Sequence, residues 1–292
     1  MLAVLLSIRR LIPGGVAIIC RRNIVGTVYN NLNELTGKQW LLFTKSWLVL
    51  NPQPRDKKKM HPASFPEELA ASFIQFFTKE NDWVLDPFLG SGTTLVAAQQ
   101  LGRNGVGLEL YEYFAQLADR RLKETENPYN VKNQVINADC RNINKLFKAN
   151  NLPKIKFCFT SPPYWDQLQY KHRRQRTRVE TGLPTIYGDK ASDFGNIADY
   201  DEFVAEVSSV FDDVYKVMLD RAYLVVICNN IYKERRVWPF AFDLFKALSK
   251  KWVAKDERIW CQDNKPLYPF GIFQQWVANR CHHYCFVFKK ES

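Results

Sequence analysis

The stretch Asp86-Pro87-Phe88-Leu89-Gly90-Ser91-Gly92-Thr93-Thr94 follows a short apolar run, Trp83 to Asp86, and precedes a helical stripe, Thr93 to Leu101. A glycine-rich turn between a strand and a helix lets backbone approach a ligand at the helix N-terminus. In a doubly wound sheet that turn opens the ligand crevice. Glu109 lies 23 positions after Asp86, at the end of the next strand-like run, Gly105 to Leu110. An acid at that spacing is placed to hold ribose hydroxyls, so the pair of features points to a nucleoside cofactor rather than a purely structural turn. No Gly-Lys-Ser/Thr ending follows the glycines, which disfavours ATP and leaves a dinucleotide or S-adenosylmethionine.

The chain around this turn alternates strand and helix, the pattern of a layered α/β domain with a mainly parallel sheet and helices on both faces. Helices are expected over Glu112 to Glu124 and Phe240 to Leu248, and another starts at Asp199, with Glu202 completing its first turn. On that helix Phe203, Val207, Val210, Phe211, Val214 and Met218 keep a helical stripe. Further strands are expected at Gln134 to Asn137, Lys156 to Thr160, Ala222 to Cys228, Arg258 to Cys261 and Tyr284 to Phe288. Ser64 with Glu67 reads as a capping box, with Pro66 in the first turn of a helix that buries Leu69, Phe73, Phe76 and Phe77. Leu41 to Leu50 is apolar without a decisive period, and Asn51 to Pro62 reads as a linker. Residues 1–50 are set apart as a basic N-terminal extension, and 51–292 as the main domain.

Charge sharpens the functional classes. The 292 residues carry a net +11, and residues 1–60 hold ten Lys or Arg against Glu34 and Asp56. A local cationic surface favours a polyanion such as nucleic acid. A second concentration lies in Asp166 to Ala198, a long aperiodic insertion holding Lys171, His172, Arg173, Arg174, Arg176 and Arg178, with Tyr170 and Tyr187. A loop of that length in a compact domain is typically functional, and this one reads as a phosphate grip. Seven scattered cysteines fit reduced thiols of a cytosol better than a disulfide framework. The apolar pieces Leu2 to Leu6 and Leu11 to Cys20 are split by Arg9 and Arg10 and are too short to span a bilayer.

The second motif is Thr160-Ser161-Pro162-Pro163-Tyr164-Trp165 at the end of an apolar strand. Two successive prolines fix φ and remove two donors, leaving a rigid run of acceptors beside two aromatic rings. Such a loop suits a flat ligand with an amino group, as a nucleobase lifted from its stack would be. The exocyclic amine of cytosine is a poor nucleophile because its lone pair is delocalised. Accepting its hydrogens at the Ser161 hydroxyl and the Pro162 carbonyl favours a pyramidal, more nucleophilic nitrogen. Tyr164 would stack on the flipped base. Ring-carbon methylation is disfavoured, since no cysteine lies in the loop and Cys158 belongs to the preceding strand. Cys281-His282-His283-Tyr284-Cys285 is not read as a metal site, because side chains alternating along a strand cannot converge on one ion.

Together the two motifs resemble the DNA amino-methyltransferases. Asp86 to Thr94 is similar to their cofactor loop, and Thr160 to Trp165 to their catalytic loop in the version typical of N4-cytosine enzymes. His61 to Leu69 resembles the segment that packs around the methionine part of the cofactor, and Asn137-Ala138-Asp139 the third-strand end at its adenine. Asn33 to Leu48, Asp193 to Phe203 and Ile259 to Lys290 also read like site-specific DNA methyltransferases. The motif order, cofactor segments before catalytic loop, resembles the gamma arrangement.

The resemblance implies a Rossmann-like S-adenosylmethionine-dependent methyltransferase fold. It implies methyl transfer to cytosine N4 in duplex DNA by base flipping, with adenine N6 as the alternative and a catalytically inactive DNA-binding protein as the alternative from another class. The cofactor, S-adenosyl-L-methionine, is expected at Phe65, Pro66, Asp86, Pro87, Phe88, Gly90, Ser91, Gly92, Thr93, Thr94, Glu109 and Asp139. Catalysis is expected at Ser161, Pro162, Pro163 and Tyr164. DNA contacts are expected at Trp165, Lys171, Arg173, Arg174, Arg176 and Arg178. The implied setting is the cytoplasm of a prokaryote or a phage-encoded protein, in a restriction-modification system with a cognate endonuclease or as a solitary modifier. No large separate recognition domain is evident, and residues 1–27 have no counterpart in the family pattern.

Overall fold

The computed structural model describes residues 30–51, 65–165, 193–269 and 277–291. In chain order the described elements are α1 (Gly37–Phe43), β1 (Trp47–Val49), α2 (Glu67–Phe77), β2 (Trp83–Asp86), α3 (Thr93–Gln100), β3 (Asn104–Glu109), α4 (Glu112–Glu124) and β4 (Asn133–Asn137). They continue as α5 (Ile143–Ala149), β5 (Ile155–Thr160), α6 (Tyr200–Val217), β6 (Met218–Cys228), β7 (Ile231–Lys233), β8 (Arg236–Trp238), α7 (Phe240–Leu248), β9 (Val253–Cys261) and β10 (His282–Lys289).

Eight of these strands form one sheet in the order β1-β9-β10-β6-β5-β2-β3-β4, and β7 pairs with β8 as a separate hairpin. Among the described strands of the sheet β10 alone runs against the rest, being antiparallel to both β6 and β9. The other pairings are parallel. The chain winds outward from β2 through β3 to β4, then returns to the other side of β2 with β5. That reversal is the topological switch point of a doubly wound sheet, and it sets the carboxyl ends of β2 and β5 side by side. The expected Rossmann-like α/β fold is what the strand order shows.

The central strands are apolar nearly throughout because both faces are covered. Along β5, Phe157 and Phe159 enter the core under α2, while Cys158 enters the core under α6 and α7. The same period of two places Val225 and Ile227 of β6, and Cys285 and Val287 of β10, on the α2 side. Leu224, Val226, Phe286 and Phe288 face the other helices. Phe157 and Phe159 are fully buried, and each such side chain stabilises the fold by about 1.5–3 kcal/mol. On α6, Phe203, Val207, Val210, Phe211 and Val214 form the buried stripe, and Asp199 caps the helix by accepting from the backbone N–H of Glu202 at 2.8 Å.

Three expectations change. The N-cap of α2 is Pro66 (φ −63°, ψ 144°) with no side-chain cap, so the helix does not start from a Ser64 capping box. Proline already holds the φ that the first turn requires. Ser64 and the linker to Pro62 lie outside the described residues. The apolar run Leu41 to Leu50 divides between α1 and β1. Trp40 and Phe43 of α1 pack on Phe76, and β1 pairs in register with β9, so residues 37–49 belong to the sheet domain rather than to an extension ending at residue 50. Finally, the hairpin β7–β8 and helix α5 complete the fold without having been anticipated. No helix among the described residues is long and apolar enough to cross a membrane.

Candidate active site

The cleft opens at the switch point. Its wall is built by the loop after β2 (Pro87, Phe88, Leu89, Gly90, Ser91 and Thr93), the end of β3 (Leu108 to Tyr111) and the end of β4 (Ala138 to Cys140). Phe65, the loop after β5 (Ser161 to Tyr164) and the segment Asp193-Phe194 close it. The two motifs separated by about seventy positions in the chain thus face one cavity.

Gly92 ends the glycine-rich loop in the left-handed region (φ 87°) as the N-cap of α3, and a Cβ there would sit 2.8 Å from the Cβ of Ala118. Only glycine combines that backbone with that approach. Gly90, also left-handed (φ 57°), donates its N–H to Glu109 at 2.8 Å, and the other Glu109 oxygen accepts from the N–H of Tyr111 at 2.9 Å. Burial pushes the Glu109 carboxyl up to about 7, against the pull of those two hydrogen bonds and with the charges of Asp86 and Asp193 adding to the rise. Each carboxylate oxygen keeps a lone pair for a further donor, so a diol of a ribose fits this position.

Asp86 lies beneath the wall rather than in it. It is 1% exposed and accepts from Thr94 Oγ1 at 2.5 Å, Thr160 Oγ1 at 2.6 Å and the N–H of Phe88 at 3.0 Å. Burial lifts its carboxyl to about 6, while the three hydrogen bonds pull it back. Thr94 lies in the first turn of α3 and Thr160 immediately precedes Ser161, so one carboxylate ties both motifs together. Pro66, Gly92 and Thr94 likewise lie outside the wall of the cavity.

At the end of β4, Ala138 donates to the carbonyl of Glu109 at 3.0 Å, and Asn137 Nδ2 donates to the same oxygen at 2.8 Å. Asp139 accepts from the backbone N–H and the guanidinium of Arg141 while still lining the cavity. On the loop after β5, Ser161, Pro162, Pro163 and Tyr164 all line the cleft, and the Tyr164 ring meets Phe240 edge-on at 6.0 Å. The nearby Cys158 thiol is fully buried and held well above its ordinary pKa by that burial, which suits core packing and not nucleophilic attack.

Trp165 departs from its expected place as a DNA contact. It is 4% exposed, donates its indole N–H to the Ile197 carbonyl at 2.9 Å, and packs edge-on against Tyr200 and Trp238. Its neighbours arrive from later in the chain and cover it. Lys171, Arg173, Arg174, Arg176 and Arg178 lie outside the described residues. In the cysteine-histidine run, His283 stacks on Trp260 at 4.7 Å and Cys285 is buried in the α2-side core.

Several site residues had no assigned role in the sequence. Arg121 of α4 donates to the carbonyl of Ser91 at 2.5 Å and to Glu67 at 2.7 Å, bracing the glycine-rich loop against α2. Tyr111 donates its hydroxyl to Asp193 at 2.6 Å, and Phe194 beside it lines the cleft and meets Phe88 edge-on. A basic residue in the last turn of α4 was the only local sign of Arg121, and it is common to many helices.

Fold and cleft define a Rossmann-like domain with an acceptor-rich Pro-Pro-Tyr loop at the same crevice as its glycine turn. Residues 28–120 match the family model described as DNA methylase, which covers N6 and N4 amino-methyltransferases together. The chain is 49% identical over 63 residues to the type II methyltransferase M.MthZI of Methanothermobacter thermautotrophicus, covering 22% of this chain and 18% of that protein. It is 42% identical over 118 residues to the type II methyltransferase M.HinfI of Haemophilus influenzae, covering 39% and 33% respectively. The matched region thus spans a third or less of these curated relatives' own length. Among solved structures, TrmN from Thermus thermophilus superposes with a TM-score of 0.49 at 16% identity, over 80% of this chain and 51% of that one. Residues 28–120 are thus similar to the DNA methylases, and the residues around the cleft fit S-adenosyl-L-methionine, the cofactor that the resemblance implies.

Proposed function

We propose that this chain transfers a methyl group from S-adenosylmethionine to the N4 amine of cytosine in duplex DNA. The observation that carries the reading is the shared cavity: the glycine turn and Glu109 on one side, Ser161 to Tyr164 on the other, both fixed to Asp86. When bound, S-adenosylmethionine supplies an electrophilic methyl group. Glu109 would hold its ribose hydroxyls, Gly90 and Ser91 would let the loop approach it, and Asp139 at the end of β4 would serve its adenine. Phe65 and Phe88 exclude water from the apolar walls.

On the substrate side, Tyr164 stacks on the flipped cytosine and sets its plane. The Ser161 hydroxyl oxygen and the Pro162 carbonyl accept the two amine hydrogens, drawing the nitrogen toward a pyramidal shape and stabilising positive charge as it develops there. Once methylated, the nitrogen is acidic enough to lose its surplus proton to Ser161 Oγ and on to water without a strong base. Adenine N6 is the second reading, because it is also an exocyclic amine and the family model spans both. Ser161, where the resemblance would lead one to expect Asp or Asn for adenine, favours cytosine.

The basic insertion at about 166–198 would hold DNA phosphates, with Lys171, Arg173, Arg174, Arg176 and Arg178 as the contacts. We place the protein in the cytoplasm of a prokaryote or among phage-encoded proteins, with a restriction endonuclease as its cognate partner. Incubating the full chain with methyl-labelled S-adenosylmethionine and mixed-sequence duplex DNA tests the reading. Label should enter DNA, and a Ser161→Ala, Pro162→Ala variant should lose that transfer. Equal incorporation by the variant, or transfer to RNA and not to duplex DNA, overturns it.

A further inference from the structure

The hairpin β7–β8 leaves the sheet beside the catalytic loop. β6 lies parallel to β5, with Thr160 opposite Val226, so the residues after Cys228 emerge next to Ser161. The root of the hairpin is fixed from several directions. Asn229 Nδ2 donates to the His282 carbonyl at 2.5 Å, Arg280 donates to the Asn230 carbonyl at 2.5 Å, and Asn230 Oδ1 accepts from the N–H of Ala241 at 3.1 Å. Ile231 is buried at the base, and the Lys233 ammonium lies 3.6 Å from the centre of the Trp165 ring, one residue beyond Tyr164.

The outer part has the opposite character. Tyr232 and Val237 face each other across the strands and are 41% and 50% exposed. The two residues of the turn, Glu234 (φ 56°) and Arg235 (φ 60°), both take the left-handed backbone of a tight hairpin turn. Asn-Gly or Asp-Gly fills such a turn at lower conformational cost. A long cationic side chain at its tip instead calls for an explanation beyond chain reversal. The Lys233 side chain is 13% exposed and lies against Trp165 and Glu234, so the positive charge the tip presents is that of Arg235 and of Arg236, whose guanidinium sits over Trp238 at 3.6 Å, together with the exposed Tyr232 ring. A two-stranded ribbon also matches the width of the DNA major groove.

We infer that the β7–β8 hairpin is a DNA-docking arm, in which Arg235 and Arg236 contact backbone phosphates beside the target base and Tyr232 with Val237 packs against the adjoining groove wall. The inference rests on duplex DNA being the substrate and adds to it a surface distinct from the basic insertion. A rigid root beside Ser161 and an exposed cationic tip set the distance between the held backbone and the loop that receives the base.

The test is binding of a short mixed-sequence DNA duplex to the full chain, followed by fluorescence anisotropy over a series of salt concentrations. Arg235→Gln should lower the dependence of log affinity on log salt by about 0.9, the value of one phosphate contact, and Arg235→Gln with Arg236→Gln by about twice that. Arg235→Lys should restore the wild-type slope, which a merely structural turn residue would not do. Unchanged slopes in the glutamine variants overturn the arm. Methyl transfer by the wild type to the same duplex reports separately on the enzymatic reading. Transfer with unchanged slopes removes only the hairpin, altered slopes without transfer leave the arm and remove the enzyme, and a wild type with no salt-dependent duplex binding removes both.

Discussion

The hydroxyl of Thr160 donates to Asp86 at 2.6 Å, although the two residues are 74 positions apart. Through this bond, and the one from Thr94 to the other Asp86 oxygen, the strand end that presents Ser161 is held to the first turn of the helix behind the glycine loop. The glycine turn and the Ser161 loop, two sides of one cleft, are therefore tied to a single carboxylate, and their geometry can be perturbed from beneath without touching the wall.

Thr160→Val keeps the shape of the side chain and removes the donor. The loss of a hydrogen bond to a buried carboxylate should destabilise the fold by about 1–3 kcal/mol. Asp86 has a folded pKa of about 6, above the ordinary 3.8, so its protonated form favours the folded state and stability declines as pH rises from about 4 through 6. Because the Thr160 bond opposes that rise, its loss lifts the carboxyl further, and the gap between variant and wild type should widen as pH climbs above about 6. Urea unfolding at pH 4.5 and pH 8 reads it, and a gap that narrows toward pH 8 contradicts the assignment.

Glu109 predicts a pH dependence of cofactor binding. Ribose hydroxyls donating to its carboxylate favour the ionised form, so binding should lower the pKa from about 7. Affinity for S-adenosylmethionine should then increase as pH rises toward about 7 and level off above it. Calorimetry across pH 5.5–8.5 should show this for the wild type, with weaker and nearly pH-independent binding for Glu109→Gln.

Gly92→Ala places a methyl group 2.8 Å from the Ala118 Cβ on a left-handed backbone. The expected cost is about 1–3 kcal/mol from the backbone conformation alone, with the loop displaced from α4. Thermal unfolding and cofactor titration should both register the change. A variant with wild-type values in both would show that the turn has room to relax.

Trp165→Ala separates a packing role from a DNA contact. Removing a buried tryptophan from between Tyr200 and Trp238 should cost about 3–5 kcal/mol of stability. The salt dependence of DNA binding by the folded fraction should stay as in the wild type. A stable variant with a reduced salt slope would return Trp165 to the DNA surface.

These cases show what a sequence of this kind exposes. The strands at Trp83, Lys156 and Ala222 are legible because a buried parallel strand is apolar along its length, and the helix after Asp199 because its stripe runs five turns. Both motifs are local and rigid, so their residues could be named and their meeting inferred from the strand alternation. Trp165 misleads because its local neighbours are polar, while the rings that bury it lie 35 and 73 positions away. Arg121, Asp193 and Phe194 join the site through partners far along the chain, which no periodicity marks. The three-residue strands β1, β7 and β8 are too short to carry an alternation of their own.

The most direct measurement is the identity of the methylated nucleoside. Duplex DNA of mixed sequence, treated with the full chain and methyl-labelled S-adenosylmethionine, is digested to nucleosides and resolved by retention and mass. The account predicts label in N4-methylcytosine, abolished by Ser161→Ala with Pro162→Ala. Label in N6-methyladenine would contradict the base assignment, and label in a ring-carbon product or in none would contradict the exocyclic-amine chemistry itself.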